Sequence, residues 1–188
     1  MIFHKFFILN DDLIKKAAGD DQFDAIYCFL TKRIEIKDEL FNNCTKLTKI
    51  VIPSSITSIG NRSFSGCTAL KKIKIPSTVK SFGEYVFDGC SSILGIEIPS
   101  SINSIPKGAF RNCTSLNFVS IPNSITSIQQ DSFNGCTALK LIKIPQSVTS
   151  IENNAFAECT SLILAAINSN RINIAEGAFP SNTKVVYH

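Results

Sequence analysis

The sequence predicts a right-handed parallel solenoid, a β-rich superhelix of 23-residue repeats with a short helical cap at its N-terminus. Three observations predict it. Cys44, Cys67, Cys90, Cys113, Cys136 and Cys159 stand 23 residues apart. Phe41, Phe64, Phe87, Phe110, Phe133, Phe156 and Phe179 keep the same period, as do Pro53, Pro76, Pro99, Pro122 and Pro145. Ahead of each of those prolines lies an alternating apolar–x–apolar pair, the mark of a short strand with one face buried. Self-similarity at one fixed period is the signature of stacked supersecondary units. A unit this small cannot bury its own apolar face, but a stack of them can.

The chain divides accordingly. Residues 1–33 read as the cap. Asp11 or Asp12 can N-cap a first helix that Gly19 ends, and a second helical piece over residues 21–30 puts Phe23, Ile26, Tyr27 and Leu30 on one face. Residues 34–188 read as the solenoid. A partial unit at 34–46 holds Ile36, Phe41 and Cys44 in register, and five regular units fill 47–161 from Leu47, Leu70, Ile93, Leu116 and Leu139. The last unit, 162–188, is degenerate, with Asn168 at the proline position, Arg171 at a core position and Asn182 at the cysteine position. Terminal repeats of a solenoid are commonly atypical because they must close its apolar end. The tail Lys184-Val185-Val186-Tyr187-His188 reads as a final strand.

Within a regular unit each column has a physical task. Proline ends the strand because it has no N–H for a ladder. The following S-x-I/V-x-S-I piece, with Ile56 and Ile59 in the first unit, is a second short apolar segment. A turn then carries Phe and Cys, and Gly66, Gly89 and Gly135 suit it. Like residues then lie over like at about 4.8 Å, giving a Leu/Ile core and a spine of stacked phenylalanines.

The units LKKIKIPSTVKSFGEYVFDGC and its siblings resemble the BspA-like, treponemal-class leucine-rich repeat. The resemblance covers about residues 34–188. It implies a curved leucine-rich repeat solenoid that binds other proteins. It also implies kinship with bacterial and protozoan surface proteins, many linked to adhesion.

The chemistry excluded is as informative. With 19 Lys plus Arg against 15 Asp plus Glu the net charge is +4, and no clustered basic stripe of the kind nucleic acid requires is present. The two histidines, His4 and His188, stand near opposite ends. Serines such as Ser55 and Ser58 lack a base to activate them and read as hydrogen-bonding partners of turn backbone. Glu84, Asp88 and Glu97 are scattered, and no phosphate-binding glycine loop occurs. The expectation is no enzyme and no cofactor. Six cysteines form one column without a C-x-x-C pair, which reads as a buried ladder of small apolar side chains rather than a metal site or disulfides. Cys28 falls in the cap. The apolar run Phe6-Phe7-Ile8-Leu9 is shorter than a secretory core, and no run approaches a membrane span, so the expectation is a cytoplasmic protein with no membrane insertion. The alternative is a surface location reached by an unconventional route.

The informative positions are those that vary inside the frame. One column facing outward from the strands is Lys49, Lys72, Gly95, Phe118, Leu141 and Leu164; its neighbour is Val51, Lys74, Glu97, Ser120, Lys143 and Ala166. The first changes from basic to apolar along the stack. Lys49, Lys72, Lys74, Glu97, Phe118, Leu141, Lys143 and Leu164 are therefore the candidate protein-binding residues, on a face either solvated or covered by a partner or a second copy in a homodimer. The function expected is a non-enzymatic protein-interaction scaffold. The alternative is a BspA-type adhesion protein binding host or matrix proteins. Fold-level analogy with cytosolic leucine-rich repeat proteins suggests phosphatases or small GTPases as partners.

Overall fold

The computed structural model describes residues 30–169 and 171–188. The helical cap that the sequence predicts over residues 1–33, with Cys28, lies outside the described residues but for 30–33, of which Leu30 is buried in the core cluster. From Glu35 onward the chain is strand and turn, wound into about seven turns of a parallel β-solenoid.

Each turn of the solenoid has two strands. One set is β2 (Lys49–Val51), β4 (Lys72–Lys74), β6 (Gly95–Glu97), β8 (Phe118–Ser120), β10 (Leu141–Ile144), β12 (Leu164–Ile167) and β14 (Lys184–Tyr187). The other is made of two-residue strands: β1 (Glu35–Ile36), β3 (Ser58–Ile59), β5 (Ser81–Phe82), β7 (Ser104–Ile105), β9 (Ser127–Ile128), β11 (Ser150–Ile151) and β13 (Asn173–Ile174). All pairs are parallel, and all but β12–β14 keep the 23-residue register, as Lys49↔Lys72 and Ile50↔Ile73 show. The tail adds its strand as the sequence predicts, pairing Leu164 with Lys184 and Ile167 with Tyr187.

Local structure follows from residue type. Each proline carbonyl accepts from the N–H three residues on, Pro53 from Ile56 and Pro99 from Ile102, so the residue that ends the strand also begins a β-turn. The third side of each layer is an irregular turn holding Phe and Cys. Its backbone alternates through left-handed conformations at Arg62, Tyr85, Gly108 and Asp131 in one column and at Asn43, Gly66, Gly89 and Asn112 in the next. Gly108 is required there, because a Cβ would lie 2.3 Å from the Tyr85 ring of the preceding layer.

The six phenylalanines from Phe41 to Phe156 are fully buried, and the seven-ring spine that ends at the half-buried Phe179 stacks with centroids 4.9–5.5 Å apart and planes within 12°. The six described cysteines are reduced and buried. Five of them do more than fill space. Cys67, Cys90, Cys113, Cys136 and Cys159 each donate Sγ–H to the carbonyl of a phenylalanine in the preceding layer, at 3.0–3.2 Å. That carbonyl also accepts its own turn's Cys N–H, so both lone pairs are used. Hydroxyls also tie layer to layer, as Thr78 donates to the Ile56 carbonyl and Ser124 to that of Ile102.

The strand ladders are not continuous. The short strands form β1-β3-β5 and β7-β9-β11-β13, and the longer ones form β2-β4, β6-β8 and β10-β12-β14. Both sets break between the layer of β4–β5 and that of β6–β7. Pro106 explains the break on the short-strand side. Gly60, Gly83, Gln129, Glu152 and Ala175 each donate an N–H at this position to an isoleucine carbonyl one layer back, and proline has none to give. Phe82, which would supply the acceptor, is the bulky exception in a column of isoleucines. Its ring is half-buried and lies edge-on to Phe87 at 6.1 Å. The turn side remains bonded across this seam, through Tyr85 N–H to Lys107 O and Phe87 N–H to Ala109 O.

Candidate protein-interaction face

The outward columns of the longer strands form the face the sequence singles out. The core column is buried from Ile50 through Ala165. Beside it Lys49, Lys72, Lys74, Glu97 and Lys143 are exposed, as the alternation of a one-sided strand requires. Phe118 is 54% exposed and Leu141 42%, although both are large and apolar.

Two features of the face differ from the sequence expectation. Leu164 is half-buried, and its strand β12 is flanked on both sides, by β10 and β14. The apolar strip is also wider than the I-x-I column. Leu94 is 56% exposed and Ile163 64%, both one position ahead of their strands, where Lys71 and Lys140 stand in other layers. The repeat frame hides them, since that position looks like a corner of no structural consequence. The signal was present nonetheless: a leucine and an isoleucine where sibling units place lysine, asparagine or threonine. The exposed apolar residues thus occupy four successive layers in two adjoining columns, Leu94 and Ile163 in one, Phe118 and Leu141 in the next.

The groove between β4 and β6 has a volume of about 760 Å³ and lies at the seam in the ladders. Lys71, Lys72 and Lys74 bound it on one side, Leu94 and Phe118 on the other, with Glu97 among them. Gly95 leaves a gap in the outward column, and the Phe118 ring lies over that gap, with Cδ1 3.5 Å from where a Gly95 Cβ would stand.

A second cluster lies on the turn side. Arg62 and Arg111 stand over the Tyr85 ring, 5.2 and 5.1 Å from its centroid, and Arg111 makes a two-pronged pair with Asp88 at 3.0 and 2.9 Å. That pair raises the guanidinium pKa. It fastens neighbouring layers together with bonds already satisfied inside the fold.

No group of three or more histidine, cysteine or carboxylate side chains suited to a metal occurs among the described residues. No helix among them is long and apolar enough to cross a membrane.

Comparison with known proteins agrees with this geometry. The family model of the BspA type leucine rich repeat region matches in six copies, over residues 34–163 and 105–187. No curated protein matches. Among solved structures, a leucine-rich repeat protein of T. pallidum is 27% identical, with a TM-score of 0.73 over 79% of this chain and 72% of that one. One from Bacteroides ovatus is 31% identical, with a TM-score of 0.55 over 82% of this chain and 52% of that one. A leucine rich cell surface protein of Faecalibacterium prausnitzii is 34% identical, with a TM-score of 0.59 over 72% of this chain and 43% of that one. The chain thus spans about half or less of the last two proteins.

Proposed function

The chain belongs to the BspA-type leucine-rich repeat family, and from that premise we propose that it is a non-enzymatic scaffold binding a protein partner on the outward face of its longer strands. Proteins of this repeat type are generally binding scaffolds. The observation that carries the reading is the two-column apolar strip. The solenoid needs apolar residues in its core columns and makes no such demand on Leu94, Phe118, Leu141 or Ile163. Each nevertheless exposes more than two-fifths of its surface. Contiguous apolar surface rimmed by charge is the common composition of an interaction site.

The test is the triple change Phe118→Ser, Leu141→Ser, Ile163→Ser. All three side chains are exposed, so circular dichroism and the melting profile stay native. Retrieval of the principal partner from a lysate of the native cell is lost. A folded variant that still retrieves that partner refutes the face. Should the partner be a second copy of this chain, the wild type sediments as a dimer and the variant as a monomer.

A second reading, adhesion at the cell surface, draws on the Faecalibacterium prausnitzii protein, described as a cell surface protein. The buried thiols are shielded from oxidant in either compartment. Surface biotinylation of intact cells separates the readings, since a cytoplasmic scaffold is labelled only after lysis.

A further inference from the structure

The binding face has a defined entry point, and its chemistry selects a kind of ligand. We propose that the groove at the seam between β4 and β6 receives an extended segment of a partner protein in which one apolar side chain is flanked by acidic ones. This rests on the reading of the face given above and adds the partner's chemistry.

Three observations support it. The outward column runs Lys49, Lys72, Gly95, Phe118, so one layer has no side chain where its neighbours have long ones. Adjacent layers are about 4.8 Å apart, so Lys72 and Phe118 leave the backbone about 10 Å apart. The Phe118 ring covers the Gly95 side of the space between them, which leaves the Lys72 side for one apolar side chain to pack against the ring. Its far wall is apolar, formed by the Phe118 ring leaning over Gly95 and by exposed Leu94.

Charge gives the second argument. The groove is bounded by three lysines and one glutamate, a local +2 in a chain whose whole net charge is +4. A partner's carboxylates beside the apolar anchor meet Lys71, Lys72 and Lys74 and speed docking. The third observation is Glu97, on the same rim. A carboxylate there repels a continuous row of phosphates but accepts a backbone N–H from a peptide. That favours an acidic peptide over nucleic acid or an anionic lipid surface.

The experiment uses the full chain and fluorescein-labelled octapeptides, read by fluorescence anisotropy in 50 mM and 300 mM salt. The probe has one leucine between glutamates; its controls replace the leucine by glycine or the glutamates by lysine. The acidic leucine peptide binds saturably and at least tenfold tighter than either control, and binding weakens at the higher salt. Gly95→Leu fills the notch. A Cβ at Gly95 meets only ordinary contacts, 3.5 Å and beyond, and the rest of the leucine extends over an open face beside the exposed Phe118 ring; a native circular dichroism spectrum checks that the variant folds. The variant weakens binding at least tenfold. The pair Lys72→Glu, Lys74→Glu does the same, whereas Lys140→Glu, an exposed lysine outside the groove, changes affinity by less than twofold. Where the charge-reversed pair fails to fold, Gly95→Leu and the salt dependence decide. The proposal falls if the acidic peptide does not bind, if the lysine peptide binds as well, if Gly95→Leu leaves binding unchanged, or if a twelve-nucleotide DNA strand or anionic vesicles bind more tightly than the peptide. If any of these occurs while the Phe118, Leu141, Ile163 triple variant still loses its partner, the face stands and only the notch is wrong. If the triple variant keeps its partner, the face itself is wrong.

Discussion

At the scale of single residues, the cysteine column shows how much one atom can carry. A valine would be as apolar but has no proton to give the phenylalanine carbonyl of the layer before, as Cys113 gives to Phe87 at 3.2 Å. Hydrogen bonding to Cys90 and burial push the Cys67 thiol up, and burial leads the upward shifts of Cys90, Cys113 and Cys136. The sign of the consequence follows. A thiol whose folded pKa exceeds its unfolded value holds its proton more tightly in the fold. Its contribution is complete below the unfolded thiol range, about 8.5, and is lost as pH rises toward the folded value. The unfolding free energy from urea titrations is therefore expected to be flat from pH 6 to 8 and to fall above pH 9, at up to about 1.4 kcal/mol per pH unit for each such thiol. Cys113→Ser keeps a donor and removes a titrating group, so its alkaline fall is shallower. An unchanged slope in that variant refutes the assignment. The sequence made the burial of this column legible but not its hydrogen bonds. A 23-residue period says which residues stack, whereas the offset that brings Cys113 to Phe87, 26 residues back, depends on how the turn is shaped.

At the scale of elements, the spine and the strands divide the stability unevenly. Phe110 is fully buried between Phe87 and Phe133, at 5.5 and 5.2 Å, while Phe179 has a ring on one side only and is half-buried. Phe110→Ala is expected to cost about 3–5 kcal/mol, because both neighbours hold the cavity open. Phe179→Ala, at an edge that can collapse, is expected to cost about half as much or less. Equal losses in denaturant titrations contradict the stacked spine. The strands themselves were readable from I-x-I-P, as was the last strand at Lys184. The register of that last strand was not. β14 pairs with β12 after a return of only 20 residues, Leu164 to Lys184, which the regular period cannot anticipate.

At the scale of the whole molecule, the solenoid is two hydrogen-bonded blocks of strands over one continuous core. A repeat stack behaves as a chain of layers coupled to nearest neighbours, and its cooperativity is set by its weakest interface. That interface is the seam between the β4–β5 and β6–β7 layers. Neither strand set is hydrogen-bonded across it, and the ring spacing of the spine is widest there, 5.5 Å between Phe87 and Phe110. The seam is held by the turn-side ladder, the Cys113 thiol, the Asp88–Arg111 pair and the Ser101 hydroxyl, which donates to the Val79 carbonyl. Pro106 could be read in the sequence as a proline out of column, but its consequence depends on knowing that this position is a donor in every neighbouring layer. The first two layers are therefore expected to open before the rest, with amides of residues 47–82 exchanging at lower free energy than those of residues 104–156. The change Phe82→Ile, Pro106→Gln restores both the column's usual size and the missing donor. It is expected to bring the two sets of amides to a common exchange free energy and to raise stability by about 0.5–1.5 kcal/mol, the net worth of a hydrogen bond. The same substitution tests the link between seam and groove. If the discontinuity shapes the binding notch, closing it stabilises the fold and weakens the acidic peptide; if the amides become uniform and the peptide binds as before, the notch owes its form to Gly95 alone.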